Sequence, residues 1–386
     1  MALDAETLAQ FVETVTRFVD EKLVPIEAQV AEEDRIPDTV LAEMRALGLY
    51  GLSIPQEYGG LALSMTEEAE VIMALTRTSP AFRSAIGTNV GIGSQGLVMD
   101  GTQAQKERYL PRLASGELVS SFALTEPEAG SDAASLKTSA RRDGDHYVLN
   151  GTKRYITNAP FAGIFTVMAR TDPAKKGGSG ISAFLVEAGT PGLRIGRPEK
   201  KMGQQGAQIA DVIFEDCRVP ASALLGGVEG KGFGTAMKVL DKGRIHIAAV
   251  CVGVAERIIK DTVRYAVERQ QFGHPIAQFQ LIQGLLADCK TECYAARSMV
   301  MDAAARRDAG QTLTFEASAA KYFASEMVGR VADRAVQIYG GAGYIADYGI
   351  ERFYRDVRLF RIYEGTSQVQ QVIIARHMIR EAGGEA

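Results

Sequence analysis

A mainly α-helical chain with a β domain set in its middle is the fold class that this sequence predicts, on three observations. Apolar residues recur at three- and four-residue spacing from Asp4 to about Leu113, and again from the Gly-rich segment at 226–234 nearly to the end. Between them the texture changes to short alternating and β-branched runs. Nowhere do strands and helices alternate as a doubly wound dinucleotide fold requires, and no GxGxxG follows a strand. The expected units are residues 1–117 (helical), 118–225 (β) and 226–386 (helical).

The first unit opens with Phe11, Val15, Phe18, Val19 and Leu23 on one helical stripe. Its next helix is bounded by Pro37 and Asp38 at the start and by Gly48 after the end, and the turn-rich IPQEYGG at 54–60 breaks the pattern. In the second unit HYVLNG, FTVMAR, SAFLVEA and ADVIFED read as strands separated by Gly, Asp and Pro. In the third, long helices are expected around residues 237–270, 279–308 and 317–339. The GKGFG at 230–234 reads either as a hinge between domains or as a helix start that approaches a phosphate.

At 386 residues, 46% hydrophobic and 23% charged, the chain can bury several cores. A net charge of -4 with scattered Lys and Arg argues against nucleic acid. No run is long and apolar enough for a membrane span, and MALDAETLAQF lacks the pattern of a signal peptide, so a cytoplasmic location is expected. Cys217, Cys251, Cys289 and Cys293 are too few and too irregular for a disulfide framework or a zinc site, and no metal is expected. Cys289 and Cys293, four apart on a helix, read as buried small apolar residues.

Five segments carry chemistry. FALTEPEAGSD at 122–132 runs a strand into a turn closed by Gly130, where amides and the hydroxyls of Thr125 and Ser131 can bond a polar ring edge or a phosphate; alone it is a polar loop. NGTKRYITN at 150–158 puts the ring of Tyr155 and the hydroxyl of Thr157 on one side of a strand, which suits a flat ring and equally an ordinary amphipathic strand. RQQFG at 269–273 ends a helix with Arg269, a planar fork for a diphosphate or a solvated helix end, with Gln280 beyond. QIYGGAGY at 337–344 permits close backbone approach or simply caps a helix. IYEGTSQ at 362–368 sets Glu364 beside a glycine, so that its carboxylate either projects from an irregular turn into a cavity or is solvated next to a helix N-cap.

Together, in this order and over essentially the whole chain, these segments resemble the acyl-CoA dehydrogenase family, short- and medium-chain-like. The resemblance implies a helical domain, a β-barrel-like middle domain, a C-terminal four-helix bundle, bound FAD and a homotetramer. It implies that Phe122, Thr125, Ser131, Tyr155 and Thr157 line the flavin, Tyr155 standing where many relatives have Trp. Arg269, Phe272, Gln280, Gln337 and Gly341 would reach the adenosine diphosphate half from a neighbouring subunit, and Thr366 and Gln368 would also contact FAD. Glu364 would take the α-proton of an acyl-CoA thioester while its backbone amide and a ribityl hydroxyl hold the thioester oxygen. Hydride would pass to flavin N5, and electrons onward to an electron-transfer flavoprotein, in fatty acid or amino acid catabolism.

Some relatives, including isovaleryl-CoA dehydrogenases, carry the base on the helix of DKGR at 241–244; here that position is Gly243, which leaves Glu364. In the resemblance Ser131, Asp241, Arg244 and Gly365 contact substrate, although DKGR alone reads as a solvated face with an i, i+3 ion pair. Gln205, Ala207 and Ile209 replace Arg, Ser and Thr of many relatives. AFRSAI at 81–86 is similar to the segment by which glutaryl-CoA dehydrogenases hold a distal carboxylate, here through Arg83 and Ser84. The acid that supports this Arg in those relatives is replaced by Thr76, and the plainer expectation pairs Arg83 with a helix terminus. A nitroalkane-type flavoprotein oxidase shares the fold but uses a shorter Asp base.

Overall fold

The computed structural model describes residues 3–385; Met1, Ala2 and Ala386, the outer ends of the first and third expected units, lie outside the described residues. Seven helices come first: α1 (Ala5–Phe18), α2 (Glu27–Glu33), α3 (Asp38–Ala46), α4 (Met65–Leu75), α5 (Pro80–Val90), α6 (Gln95–Asp100) and α7 (Gln103–Ala114). Their ends follow local chemistry. Ser64 and Thr102 close capping boxes with Glu67 and Gln105, Pro80 opens α5, and Gly48 takes φ +72° after α3.

The middle unit holds β1 (Ser120–Ala123), β2 (Ser139–Asp143), β3 (His146–Thr157), β4 (Ile164–Arg170), β5 (Ile181–Glu187), β6 (Leu193–Ile195) and β7 (Ile209–Pro220). They form one curled sheet in the order β1-β4-β2-β3-β7-β6, with β5 also on β4. β1 runs parallel to β4, Phe122 opposite Thr166, which seats the segment after β1 at the sheet's end. Phe165, Phe184, Phe214 and Val212 belong to its apolar core.

The third unit is α8 (Gly232–Glu268), a two-residue ribbon of β8 (Gln270–Gln271) and β9 (His274–Pro275), α9 (Gln280–Asp308), α10 (Thr314–Tyr339), α11 (Ile350–Val357) and α12 (Ser367–Glu381). α8 starts five residues earlier than periodicity indicated. Its first glycines hide the apolar pattern, and a β-carbon on Gly232 would strike the backbone of Ser182 and Ala183, so Gly is what lets the helix begin against β5. One apolar core spans α1, α4, α5, α8, α9 and α10, and Cys251, Cys289 and Cys293 are buried in it. Buried Glu27 ties the helical units together: it accepts from Thr78 Oγ1 (2.6 Å), Ser79 N (2.9 Å), Arg257 Nη1 (3.1 Å) and Arg352 Nη2 (3.0 Å). No helix among the described residues is long and apolar enough to cross a membrane.

Candidate functional site

The segment after β1 is a locked loop. Glu126 and Ala129 exchange backbone hydrogen bonds at 3.0 and 3.2 Å. The Glu126 carboxylate accepts from Lys137 N (2.6 Å), Thr138 N (2.9 Å) and the buried Lys153 Nζ (2.7 Å). Next to it, the pairing of β3 with β7 slips between Lys153 and Ile156, and Tyr155 takes φ +59° on that bulge. Bulges re-aim side chains, and here Tyr155 lines the same cavity as Thr157, with the Arg154 guanidinium over its ring at 5.0 Å from the centroid.

The cavity has a volume of about 530 Å³ and lies between α5, the loop after β1, the end of β3, α8 and residues 362–365. Ile92, Leu124, Phe233, Met237, Leu240 and Ile373 make its apolar walls. It brings together Arg83, Phe122, Thr125, Ser131, Tyr155, Thr157, Arg244, Glu364 and Gly365.

Glu364 reaches it through strained backbone: Glu364 and Gly365 have φ of +51° and +91°, two left-handed residues in a row, the first without the freedom of glycine. The turn is held from behind. Lys321 Nζ, on α10, donates to Gly365 O at 2.7 Å, and Gln370 Nε2 donates to Gly365 O at 3.1 Å and Glu364 O at 3.3 Å. Thr366 then caps α12 by accepting from Val369 N at 3.2 Å. The Glu364 N–H makes no backbone hydrogen bond among the described residues.

Burial pushes the Glu364 carboxyl above the usual carboxylate range, and Arg83, Lys321 and Arg244 pull it partly back. None of these cations bonds to it. Each is tethered elsewhere: Arg83 Nε to His246 Nε2 at 2.8 Å, Lys321 to Gly365 O, and Arg244 to Asp241. Glu364 Oε2 is buried without a hydrogen-bond partner.

Two sequence expectations change here. Arg83 is not paired with a helix terminus; the ring of His246, from α8, meets it instead. The 241–244 segment is not a solvated face, for Arg244 is buried on the cavity wall while Asp241 stands behind it as its ion-pair partner and is not itself on that wall.

Arg269, Phe272, Gln280, Gln337 and Gly341 lie outside the cavity, all exposed, as does Gln368. The stacked rings of Tyr265 and Tyr339, centroids 3.9 Å apart, join the ends of α8 and α10 and so set Arg269 and Gln337 at one end of the bundle. Phe272 at 91% exposure, with Leu281 and Tyr344 each at 86%, leaves large apolar side chains in solvent there. Sequence reasoning missed Lys321, Gln370, His246 and Glu68. A signal existed for Lys321, which falls on the buried stripe of Ala317, Ala324 and Val328; His246 sits in an apolar run that disguised it as core.

The chemistry of the cavity fits a flat heteroaromatic ring with a polar edge. The hydroxyls of Thr125, Ser131 and Thr157 make no protein hydrogen bond among the described residues and share a wall with Tyr155, and Gly130 adds no side chain to the loop that faces them.

Residues 5–117, 121–217 and 230–379 match the N-terminal, middle and C-terminal domains of acyl-CoA dehydrogenases. The chain is 44% identical to acryloyl-CoA reductase (NADH) of Anaerotignum propionicum, covering 94% of this chain and 92% of that one. It is 42% identical to a probable acyl-CoA dehydrogenase of Bacillus subtilis, with 95% and 97% covered. The structure of butyryl-CoA dehydrogenase from Megasphaera elsdenii superposes with a TM-score of 0.94 at 37% identity, over 98% of this chain and all of that one. The chain therefore belongs to the acyl-CoA dehydrogenase family, flavoprotein oxidoreductases that act on CH–CH groups, and has its three-domain fold.

Proposed function

We propose that this protein desaturates an acyl-CoA thioester between its α and β carbons, with Glu364 as the base. The α-carbon's proton goes to Glu364 Oε2, the electron pair of that C–H bond moves toward the thioester carbonyl, and the β-hydrogen departs as hydride, so two electrons leave the substrate. The unbonded, buried Oε2 carries this reading: a carboxylate that accepts no hydrogen bond is free to accept a proton, and burial lifts its affinity for one. The free N–H of Glu364 is the donor on this chain for the thioester oxygen.

FAD, when bound, supplies the acceptor for that hydride. Phe122, Thr125, Ser131, Tyr155 and Thr157 would hold its ring end, and Thr366 and Gln368 lie next in the chain to the Glu364 turn. Arg269, Phe272, Gln280, Gln337 and Gly341 are assigned to the adenosine end in a neighbouring copy, within a homotetramer; their exposure, with large apolar side chains in solvent there, supports that placement. An electron-transfer flavoprotein as acceptor and a cytoplasmic location complete the reading, as do domain boundaries after residues 117 and 225. Ser131, Arg244 and Gly365 are assigned to the substrate side, with Asp241 behind Arg244 as its ion-pair partner.

A dicarboxyl-CoA substrate is favoured by one observation. Arg83 lines the cavity with its Nε bonded and neither Nη hydrogen-bonded to protein among the described residues, a fork open to a carboxylate.

The test is a screen of acyl-CoA thioesters of varied length, branching and terminal charge with the FAD-loaded enzyme and an artificial electron acceptor, without oxygen. Flavin reduction by at least one thioester is expected, and preference for a terminal carboxylate identifies the Arg83 role. A preparation that cannot be loaded with FAD, or that no thioester reduces, overturns the reading; oxygen consumption with no carrier selects an oxidase of the same fold.

A further inference from the structure

A buried polar chain crosses the helical interior next to the site. Glu68 on α4, His246 on α8 and Arg83 on α5 are 0, 1 and 7% exposed. Lys242 Nζ lies 3.1 Å from Glu68 Oε2, His246 Nδ1 is 2.6 Å from Glu68 Oε1, and Arg83 Nε donates to His246 Nε2 at 2.8 Å. Arginine has donors only, so His246 Nε2 must be the unprotonated nitrogen. The ring proton is thus on Nδ1 and is donated to Glu68; His246 is neutral and its tautomer is fixed. A β-carbon on Gly87 would come within 2.9 Å of Arg83 Cζ, so the missing side chain one turn along α5 gives the guanidinium room to lie there.

Stability does not call for such a chain, because a well-packed apolar trio in its place is commonly as stable or more so. What it does is occupy Nε. The guanidinium is left in the same cavity as Glu364, whose Oε2 has no partner. Two opposite charges that share a small apolar cavity would close into an ion pair unless something holds one of them back.

We propose that His246, backed by Glu68, is a positioning residue that holds the Arg83 guanidinium beside the Glu364 carboxylate while keeping the two from bonding. The inference rests on Glu364 being the base. It explains how a base can stay ionised in an apolar pocket and still be free to take a proton. The charged and titratable groups around the brace and the base are Glu68 from α4 and Lys242 from α8 beside His246, Cys251 from α8 beside Arg83, Lys321 from α10 and Arg244 from α8 beside Glu364, Tyr363 next to the base, and Glu326 beside Lys321. Of these, Lys321 and Arg244 are tethered in their own right and do not replace the brace.

In His246→Leu, Nε loses its acceptor and the guanidinium turns to Oε2. The acid limb of the pH profile for flavin reduction should then move down by about one pH unit, as direct pairing with a cation does, and the plateau rate should fall roughly tenfold. His246→Gln, which can both accept from Nε and donate to Glu68, should restore both. In an Arg83→Met background His246→Leu should add nothing, since His246 acts only through Arg83.

A readout without turnover is the carboxyl stretching band of Glu364 in the FAD-loaded protein, assigned by its loss in Glu364→Gln. Its titration should shift with the acid limb. If the band titrates alike in wild type and His246→Leu, the inference is overturned. If no thioester reduces even wild type, it is the proposed reaction that fails, and the band still decides this point. Should His246→Leu not fold, His246→Asn, too short to span both partners, takes its place with the same two outcomes.

Discussion

Glu364 Oε2 occupies the space into which a β-carbon on Gly243 would project. α8 therefore offers a second place from which a carboxylate could reach the same point of the cavity, and the chain leaves it empty so that the 362–365 turn can fill it. Glu364→Gln, which keeps size and loses basicity, should lower flavin reduction by about two to four orders of magnitude with FAD still bound. Because the amide still fills the space, moving the base requires its removal as well: Glu364→Gly with Gly243→Glu should regain part of the rate over Glu364→Gly alone. Rapid-mixing reduction without oxygen measures both. A Glu364→Gln variant within about threefold of wild type would mean another group takes the proton.

The pH profile of the wild type follows from the same carboxylate. The ionised form is the active one, so the rate is lost as pH falls through a pKa that burial has raised above the ordinary 4.5. Arg83 is the largest of the influences that oppose burial. Arg83→Met should therefore move the acid limb to higher pH, read from flavin reduction rates across the acid range. A limb that stays put or moves down contradicts the assignment of Arg83 as counter-charge.

The three-part order of helix, strand and helix was legible because apolar period changes twice along the chain, and the cavity's Phe122, Thr125, Ser131, Tyr155, Thr157 and Glu364 were legible as motifs. What escaped was partnership. Glu68 and His246 are 178 residues apart and meet only because α4 packs on α8, and Lys321 reaches Gly365 O from a helix otherwise lined with alanine. The Tyr155 bulge escaped for a different reason. Alternation predicts Tyr155 and Thr157 on one side, and both line the cavity, but nothing in the local pattern announces the slip in the β3 to β7 register or the left-handed backbone on which Tyr155 sits.

Arg269 closes α8 with its side chain in solvent and no ion pair among the described residues, next to the 91% exposed Phe272. If a second copy's FAD is its partner, Arg269→Ala should weaken FAD retention and assembly together, by about 1.5–3 kcal/mol for a hydrogen bond to a charged group. Flavin release on dilution and sedimentation measure the two. A variant that keeps its assembly state and its FAD undiminished removes Arg269 from the cofactor site.

The Lys242, Glu68 and His246 chain should make the protein sensitive to acid. Burial, first, and the neighbouring Arg83 depress His246 to about 4 from 6.5, while Glu68, in spite of burial, is held at about 2 from 4.5 by Lys242 and His246. Both pKa values lie below those of the unfolded chain, so the unfolded state binds more protons throughout the interval between. Stability from this group is therefore complete above about pH 6.5, erodes as pH falls through 6.5 toward 4, and is lost further as Glu68 takes up its proton near 2. For His246 alone the loss from pH 7 to pH 4 is about 3 kcal/mol. His246→Gln removes the titrating ring and keeps both hydrogen bonds, so it should flatten that part of the curve while costing little at neutral pH. Denaturant midpoints of the two proteins at pH 7, 5.5 and 4, with FAD present throughout, measure the difference. Parallel curves would show that His246 is not buried neutral, and the tautomer assigned to it would be wrong.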